Sequence, residues 1–288
     1  MASHVKVTIP ASTANLGPGF DCLGLALGLF NTVEMWVWEG PATQPLSIEV
    51  VGEGAGQILE DERNLILRAV SRVFEKVGSP VPPVCVRATN GIPLGSGMGS
   101  SAAAAVGGLV AANALIDGRL SRKEIMRLAY EIEGHPDNAA PAIFGGLVIV
   151  SATGDELITQ TVDVPPFQVA IALPNIRLST AEARAVLPPL VPLEDAVFNI
   201  GRAALVVKAQ PYRRRLFSVY DEVVVAARKA GAAAVALSGA GPSLVAFAAD
   251  GHESIAKAMG EAIEKAGLDA RTFVLPVDRQ GVRVSVAG

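Results

Sequence analysis

The stretch Gly95-Ser96-Gly97-Met98-Gly99-Ser100-Ser101 limits what this chain can fold into more than any other. Three of its first five residues are glycine, so the backbone can turn through conformations closed to other residues and aim several amides at one point. The run from Ser100 to about Ile116 is Ala-rich and predicts a slim helix. A helix leaves its first amides unpaired and carries partial positive charge at its start. Loop and helix start together make an anion site suited to phosphate. Ser100 or Ser101 is free either to cap the helix or to offer a hydroxyl to Mg²⁺. No Gly-Lys-Ser/Thr follows, so this is not a Walker A loop, and the G-x-G-x-G spacing is not the G-x-G-x-x-G of dinucleotide folds. Taken alone, the stretch also fits a flexible turn that happens to precede a helix.

Composition narrows the class. The 288 residues suit two ordinary domains or one large one, and 50% hydrophobic against 18% charged residues allows a sizeable core. Aromatics are only 5%, so that core rests on Ala, Val, Leu and Ile. The net charge is −4 and the longest basic run is Arg213-Arg214-Arg215, which argues against nucleic acid as a partner. No basic segment leads into an apolar run at the start, and Ala102 to Ala112 is too short to span a bilayer, so no membrane association is expected. Cys22 and Cys85 lack metal-ligand spacing and read as reduced thiols of a cytoplasmic protein.

Strands are predicted at His4–Ile9, Val33–Trp38, Val84–Val86, Leu147–Val150, Phe167–Leu173, Ala232–Leu237, Leu244–Ala248, Thr272–Pro276 and Val282–Val286. Helices are predicted at Asn64–Val77, Ser100–Ile116, after the capping box Ser121–Glu124 as far as Gly134, and at Ser179–Val186, Asp195–Lys208, Leu216–Lys229 and Glu253–Ala266. Pro10 to Asp21 and His135 to Asn138 read as loops. The texture changes around Gly154 to Pro166, which suggests a domain boundary, placed at 158/159. Strands and helices mix without strict alternation, so the fold class is α+β in two domains, 1–158 and 159–288.

The loop does not stand alone. Pro93 to Ala103 resembles the phosphate loop of the GHMP kinases, which include galactokinase, homoserine kinase and mevalonate kinase. Pro10-Ala11-Ser12-Thr13-Ala14-Asn15-Leu16-Gly17-Pro18-Gly19-Phe20-Asp21-Cys22-Leu23-Gly24 resembles the first motif of that family, and Ser238-Gly239-Ala240-Gly241-Pro242-Ser243 the third. Mevalonate- and galactose-type members place a Lys or Arg soon after the first Pro, where Ser12-Thr13-Ala14-Asn15 stands here. They also carry an Asp where this chain has Asn138. The string His135 to Gly146, with Ser179 to Pro188, is similar to the homoserine kinase branch.

The resemblance implies an N-terminal domain like the second domain of ribosomal protein S5 and a ferredoxin-like C-terminal domain, with substrate between them. It implies ATP and Mg²⁺, L-homoserine as acceptor and O-phospho-L-homoserine as product, a step of threonine biosynthesis. Mevalonate or threonine is the alternative acceptor, and a homodimer is common in the family. Pro93, Leu94, Gly95, Ser96, Gly97, Met98, Gly99, Ser100 and Ser101 would hold the phosphates. Asn64 would lie near the adenine, although a helix N-cap explains it equally well. Ser100 and Glu131 would hold the metal, with Glu133 as the alternative. Asn15 and Asp21 would hold the substrate ammonium, Arg184 and Arg213 its carboxylate, and Asn138 its hydroxyl. Thr180 would touch the γ-phosphate or hydroxyl, His135 would contact substrate or shape the loop, and Asn138, Thr180 and Arg184 would be catalytic. Arg184 also fits a surface helix position, Arg213 a solvated charge run, and either glutamate an ordinary exposed residue.

Overall fold

In a computed structural model of the chain, the described residues are 4–38, 46–153, 156–176, 180–204 and 219–287. Apolar residues alternate along β1 (His4–Ala14), which pairs antiparallel with β2 (Leu23–Val37). Their register slips between Pro10 and Ala11, where proline has no N–H to give the ladder. The strand resumes after the slip and reaches Ala14, so the loop expected from Pro10 begins only at Asn15.

β2 is long enough to serve two neighbours. Its second half pairs with β4 (Val84–Asn90), and its first three residues pair with β5 (Leu147–Thr153). β3 (Leu46–Gly52) runs parallel to β4, and β6 (Glu156–Val162) folds back on β5. From the far end of the chain, β11 (Arg283–Ala287) lies against β1 and completes a seven-stranded sheet. Neither β3 nor β6 was expected. β6 is an edge strand with no fully buried residue, so its sequence carries little apolar alternation.

Helices α1 (Leu65–Lys76), α2 (Ser100–Leu115), α3 (Arg122–Glu133) and the short α4 (Ala139–Phe144) pack with this sheet. α2 rests on β1 and β2 and is flanked by α1 and α3, which is why it is built of Ala and Gly. A methyl group on Gly108 would stand 2.5 Å from the Ile66 carbonyl oxygen, so α1 could not approach a larger residue there. The capping box of α3 forms on both sides, and Gly134 ends the helix in the left-handed conformation.

The second sheet is antiparallel in the order β10 (Ala270–Pro276), β7 (Gln168–Pro174), β9 (Leu244–Phe247), β8 (Ala234–Leu237). Helices α5 (Thr180–Ala185), α6 (Leu193–Ala204) and α7 (Tyr220–Lys229) lie between β7 and β8 in sequence, and α8 (His252–Lys265) between β9 and β10. This is the ferredoxin-like arrangement. Alternate residues of β7 face opposite cores. Val169 and Ile171 join the core of the first sheet, and Ala170 and Ala172 pack with α7 and α8. The two sheets therefore share apolar packing, and the three sequence motifs meet at their junction.

Candidate active site

The phosphate loop is tied to both other motifs through its backbone. Ser12 N–H donates to the Met98 carbonyl at 3.0 Å, and Ser243 N–H donates to the Ser96 carbonyl at 3.1 Å. Ser238 Oγ donates to the Gly97 carbonyl at 2.8 Å, and Gly239 N–H to the Ala14 carbonyl at 3.0 Å. Gly95, Gly97 and Gly99 all have positive φ, the region that favours glycine. Gly97 has a second constraint, because a Cβ there would meet the Ser238 and Gly241 carbonyl oxygens. Inside the loop, Ser96 Oγ donates to the Pro93 carbonyl at 2.7 Å and accepts from Met98 N–H at 3.2 Å. Gly99 is the N-cap of α2 and offers no side chain, so the helix starts without a side-chain cap. Its first amides are left for an anion.

These elements enclose a cavity of about 300 Å³. Gly95, Ser96, Gly97, Gly99, Ser100 and Ser101 form one wall. The lining is completed by Asn15, Asn138, His135, Asp137, Thr180 and Arg184, with Ala240 and Gly241 of the third motif. Most of the expected site residues thus come together. Met98 does not line the cavity; it is fully buried in the core below the loop. Pro93 and Leu94 face a neighbouring cleft beside Gly95. Asn64 also stands apart from the cavity. Its Oδ1 accepts from Ile66 N–H at 2.9 Å and its Nδ2 donates to the Leu59 carbonyl at 2.6 Å, so it caps α1. Arg213 lies outside the described residues.

Asp21 sits behind Arg184, which reaches it with two guanidinium nitrogens, Nη2 to Oδ1 at 2.6 Å and Nη1 to Oδ2 at 3.0 Å. The Arg184 guanidinium also lies over the Phe20 ring, 5.2 Å from its centre. Asn15 holds the turn that carries Asp21 by accepting from Asp21 N–H at 2.9 Å.

The acidic residues separate by environment. Glu131 points away from the cavity and is held by Arg72 at 2.9 Å and Arg127 at 3.2 Å. Glu133 lines the cavity and accepts from Ser101 Oγ at 2.7 Å, with no cation bonded to it among the described residues. Burial pushes its carboxyl above the usual range, against the Ser101 hydrogen bond. Helical spacing separates the two, since residues two apart on α3 face different ways. His135 Nδ1 lies 3.4 Å from Asp137 Oδ1, an ion-pair distance without hydrogen-bond geometry. The Asp137 carboxylate raises the pKa of His135 despite the cost of burial, and Glu133 adds to the effect. Asp137 itself is only 2% exposed. Ser12, not among the expected site residues, is fully buried and donates from Oγ to Asn138 Oδ1 at 3.0 Å. The signal for it was the place it occupies, where other branches carry Lys or Arg.

The family profile described as GHMP kinases N terminal domain matches residues 64–146, and that described as GHMP kinases C terminal matches 193–266. The chain belongs to the GHMP kinases. This GHMP kinase is 42% identical over 283 residues to homoserine kinase of Carboxydothermus hydrogenoformans, covering 92% of this chain and 90% of the relative. It is 43% identical over 281 residues to that of Moorella thermoacetica, covering 91% and 93%. A crystal structure of homoserine kinase from Cytophaga hutchinsonii superposes with a TM-score of 0.88 at 28% identity, covering 99% of this chain and 98% of that one. This GHMP kinase is accordingly an ATP-dependent small-molecule kinase of the homoserine kinase branch. No helix among its described residues is long and apolar enough to cross a membrane.

Proposed function

We propose that the cavity carries the γ-phosphoryl group of ATP to the side-chain hydroxyl of L-homoserine, giving O-phospho-L-homoserine. One observation carries this reading: Arg184, which lines the cavity together with the phosphate loop, is backed by a matched carboxylate, Asp21. A zwitterion needs both charges, and an acceptor such as mevalonate has no ammonium for Asp21. Arg184 takes the carboxylate with its planar fork, and Asp21 and Asn15 take the ammonium. Asn138 meets the hydroxyl, Thr180 lies beside the transferred group, and His135 braces the loop through Asp137. Arg213 is proposed as a second carboxylate ligand on family resemblance alone.

The loop amides and the start of α2 neutralise the phosphates. The hydroxyl oxygen bonds to the γ-phosphorus as the bond to the bridging oxygen breaks, and that electron pair stays on ADP. The hydroxyl proton passes to a non-bridging oxygen of the transferred group. Such a loose transition state runs on positioning and charge neutralisation, so no carboxylate base is required. Loss of all transfer in Asp137→Asn or Asp21→Asn, with both substrates still bound, would contradict this.

The residues also fit Mg²⁺. Glu133 is a half-buried carboxylate with no cation bonded to it among the described residues, and it lies beside the Ser101 hydroxyl. Mg²⁺ needs few protein ligands, since waters and phosphate oxygens complete its octahedron. Glu133, with Ser100 or Ser101, would hold Mg²⁺, whose positive charge would offset that of the phosphates. We assign the protein ligand to Glu133 in place of Glu131, which is occupied by two arginines.

We keep the division into an ATP-binding N-terminal domain and a C-terminal domain, near 158. The two family profiles support it, although β6, which spans 158, stays with the first sheet and β11 returns to that sheet from the end of the chain. We place the reaction in the cytoplasm, in keeping with two free cysteines. The test is direct: ³¹P NMR of a mixture with ATP, Mg²⁺ and L-homoserine should show a new phosphomonoester together with ADP. ADP without that product would refute the assignment.

A further inference from the structure

We propose that Ser12 is a positioning residue for phosphoryl transfer: its hydroxyl locks the Asn138 amide so that only N–H groups face the acceptor hydroxyl. The inference rests on the reading of Asn138 as the residue that meets that hydroxyl.

Ser12 is fully buried, and its one side-chain hydrogen bond among the described residues runs from Oγ to Asn138 Oδ1 at 3.0 Å. A serine hydroxyl could in principle accept from the Asn138 amide nitrogen instead. Its own hydrogen would then need another acceptor, and the described residues around Ser12 Oγ provide none. With no exposure to solvent, that orphaned donor would be costly. Donation to Oδ1 leaves neither group unsatisfied. It also turns the carbonyl end of the amide to Ser12 and leaves Nδ2, which has no protein partner among the described residues, for the cavity that Asn138 lines.

The lock is braced from two sides. Ser12 N–H donates to the Met98 carbonyl at 3.0 Å, which ties the strand to the phosphate loop at the same residue. Gly99 lies directly over the pair. A Cβ at Gly99 would collide with Ser12 Oγ and stand 3.1 Å from Asn138 Oδ1. The loop glycine therefore leaves room for the lock as well as adopting positive φ.

The chemical consequence is a fixed polarity. A free asparagine amide can turn either end to a hydroxyl. Held by Ser12, Asn138 keeps its carbonyl oxygen turned to the strand and its Nδ2 donor free for the acceptor oxygen. The oxygen is held in line with its proton directed elsewhere. The pair that sets this polarity, a hydroxyl and an amide, carries no net charge.

Ser12→Ala removes only one oxygen and adds no bulk, and two readings test it. In the ligand-free protein, the side-chain NH₂ resonances of Asn138, assigned by their loss in Asn138→Ala, should shift in Ser12→Ala. In turnover, kcat with L-homoserine should fall roughly tenfold while KM for ATP stays within about twofold, as expected for one lost orienting hydrogen bond. Unmoved Asn138 resonances, or kcat within about twofold of the parent, would overturn the proposal. So would a rise in KM for ATP with kcat unchanged, since that marks Ser12 as a mere support of the phosphate loop. If the parent phosphorylates no homoserine, the substrate reading fails, and the resonance test still decides the lock.

Discussion

Arg184 and Asp21, 163 positions apart in sequence, join the two halves of the site by paired hydrogen bonds of 2.6 and 3.0 Å. Each residue neutralises the other until a ligand with both charges arrives, and the substrate must then exchange itself into the pair. Arg184→Lys keeps the charge and loses the fork. It should raise KM for homoserine by roughly tenfold or more and leave KM for ATP nearly unchanged, as measured by steady-state kinetics with each substrate varied. An equal rise in both would show that the pair holds the fold and not the substrate.

Gly97 is the tightest point of the loop. Its φ is +76°, and a methyl group would press on two carbonyl oxygens, those of Ser238 and Gly241. Neither is on a flexible side chain. Gly97→Ala should cost at least about 2 kcal/mol of stability and weaken nucleotide binding, measured by thermal unfolding with and without ATP. Gly118→Ala, also at positive φ but with open space around it, should be milder and leave nucleotide affinity unaltered.

The two glutamates of α3 should behave oppositely. Glu133→Gln should raise the Mg²⁺ concentration needed for half-maximal rate by roughly tenfold, whereas Glu131→Gln should change it by less than about twofold. Chelation of Mg²⁺ should stop turnover in the parent. Titration of rate against Mg²⁺ in the three proteins checks all of this.

His135 supplies a pH signature. Its pKa is raised from the ordinary 6.5, chiefly by Asp137. A raised folded value means the protonated ring is favoured by folding. That stabilisation is complete below 6.5 and disappears as pH rises through the higher folded value. Unfolding of the ligand-free protein followed from pH 6 to 9 should show this loss in the parent, and His135→Gln should flatten it.

Much of this site was legible in the sequence because backbone chemistry leaves strong marks. The alternation of glycines at 95, 97 and 99, the Ser121–Glu124 box and Gly134 at the end of α3 each encode a local conformation, and each formed. Asn15, Asn138 and Arg184 were found through motif resemblance and do meet in one cavity. What could not be read was the direction of side chains and the pairing of distant ones. Glu131 and Glu133 differ only in which face of a helix they take and whether Arg72, 59 residues away, is within reach. Asn64 has a cap pattern and a motif position at once, and only its hydrogen bonds separate the two. Ser12, read as part of a loop, was given no role because its partner is 126 positions away. β6 escaped notice because an exposed edge strand needs no apolar face.

The measurement that bears most directly on the account is ADP release with L-homoserine, L-threonine, mevalonate and galactose, compared by kcat/KM. A site that pairs every polar group of its substrate rejects molecules lacking one by up to roughly 10⁴–10⁵-fold. The account predicts that homoserine leads by a wide margin and that mevalonate, with no ammonium for Asp21, gives no turnover above background. Faster turnover of any of the other three would contradict it.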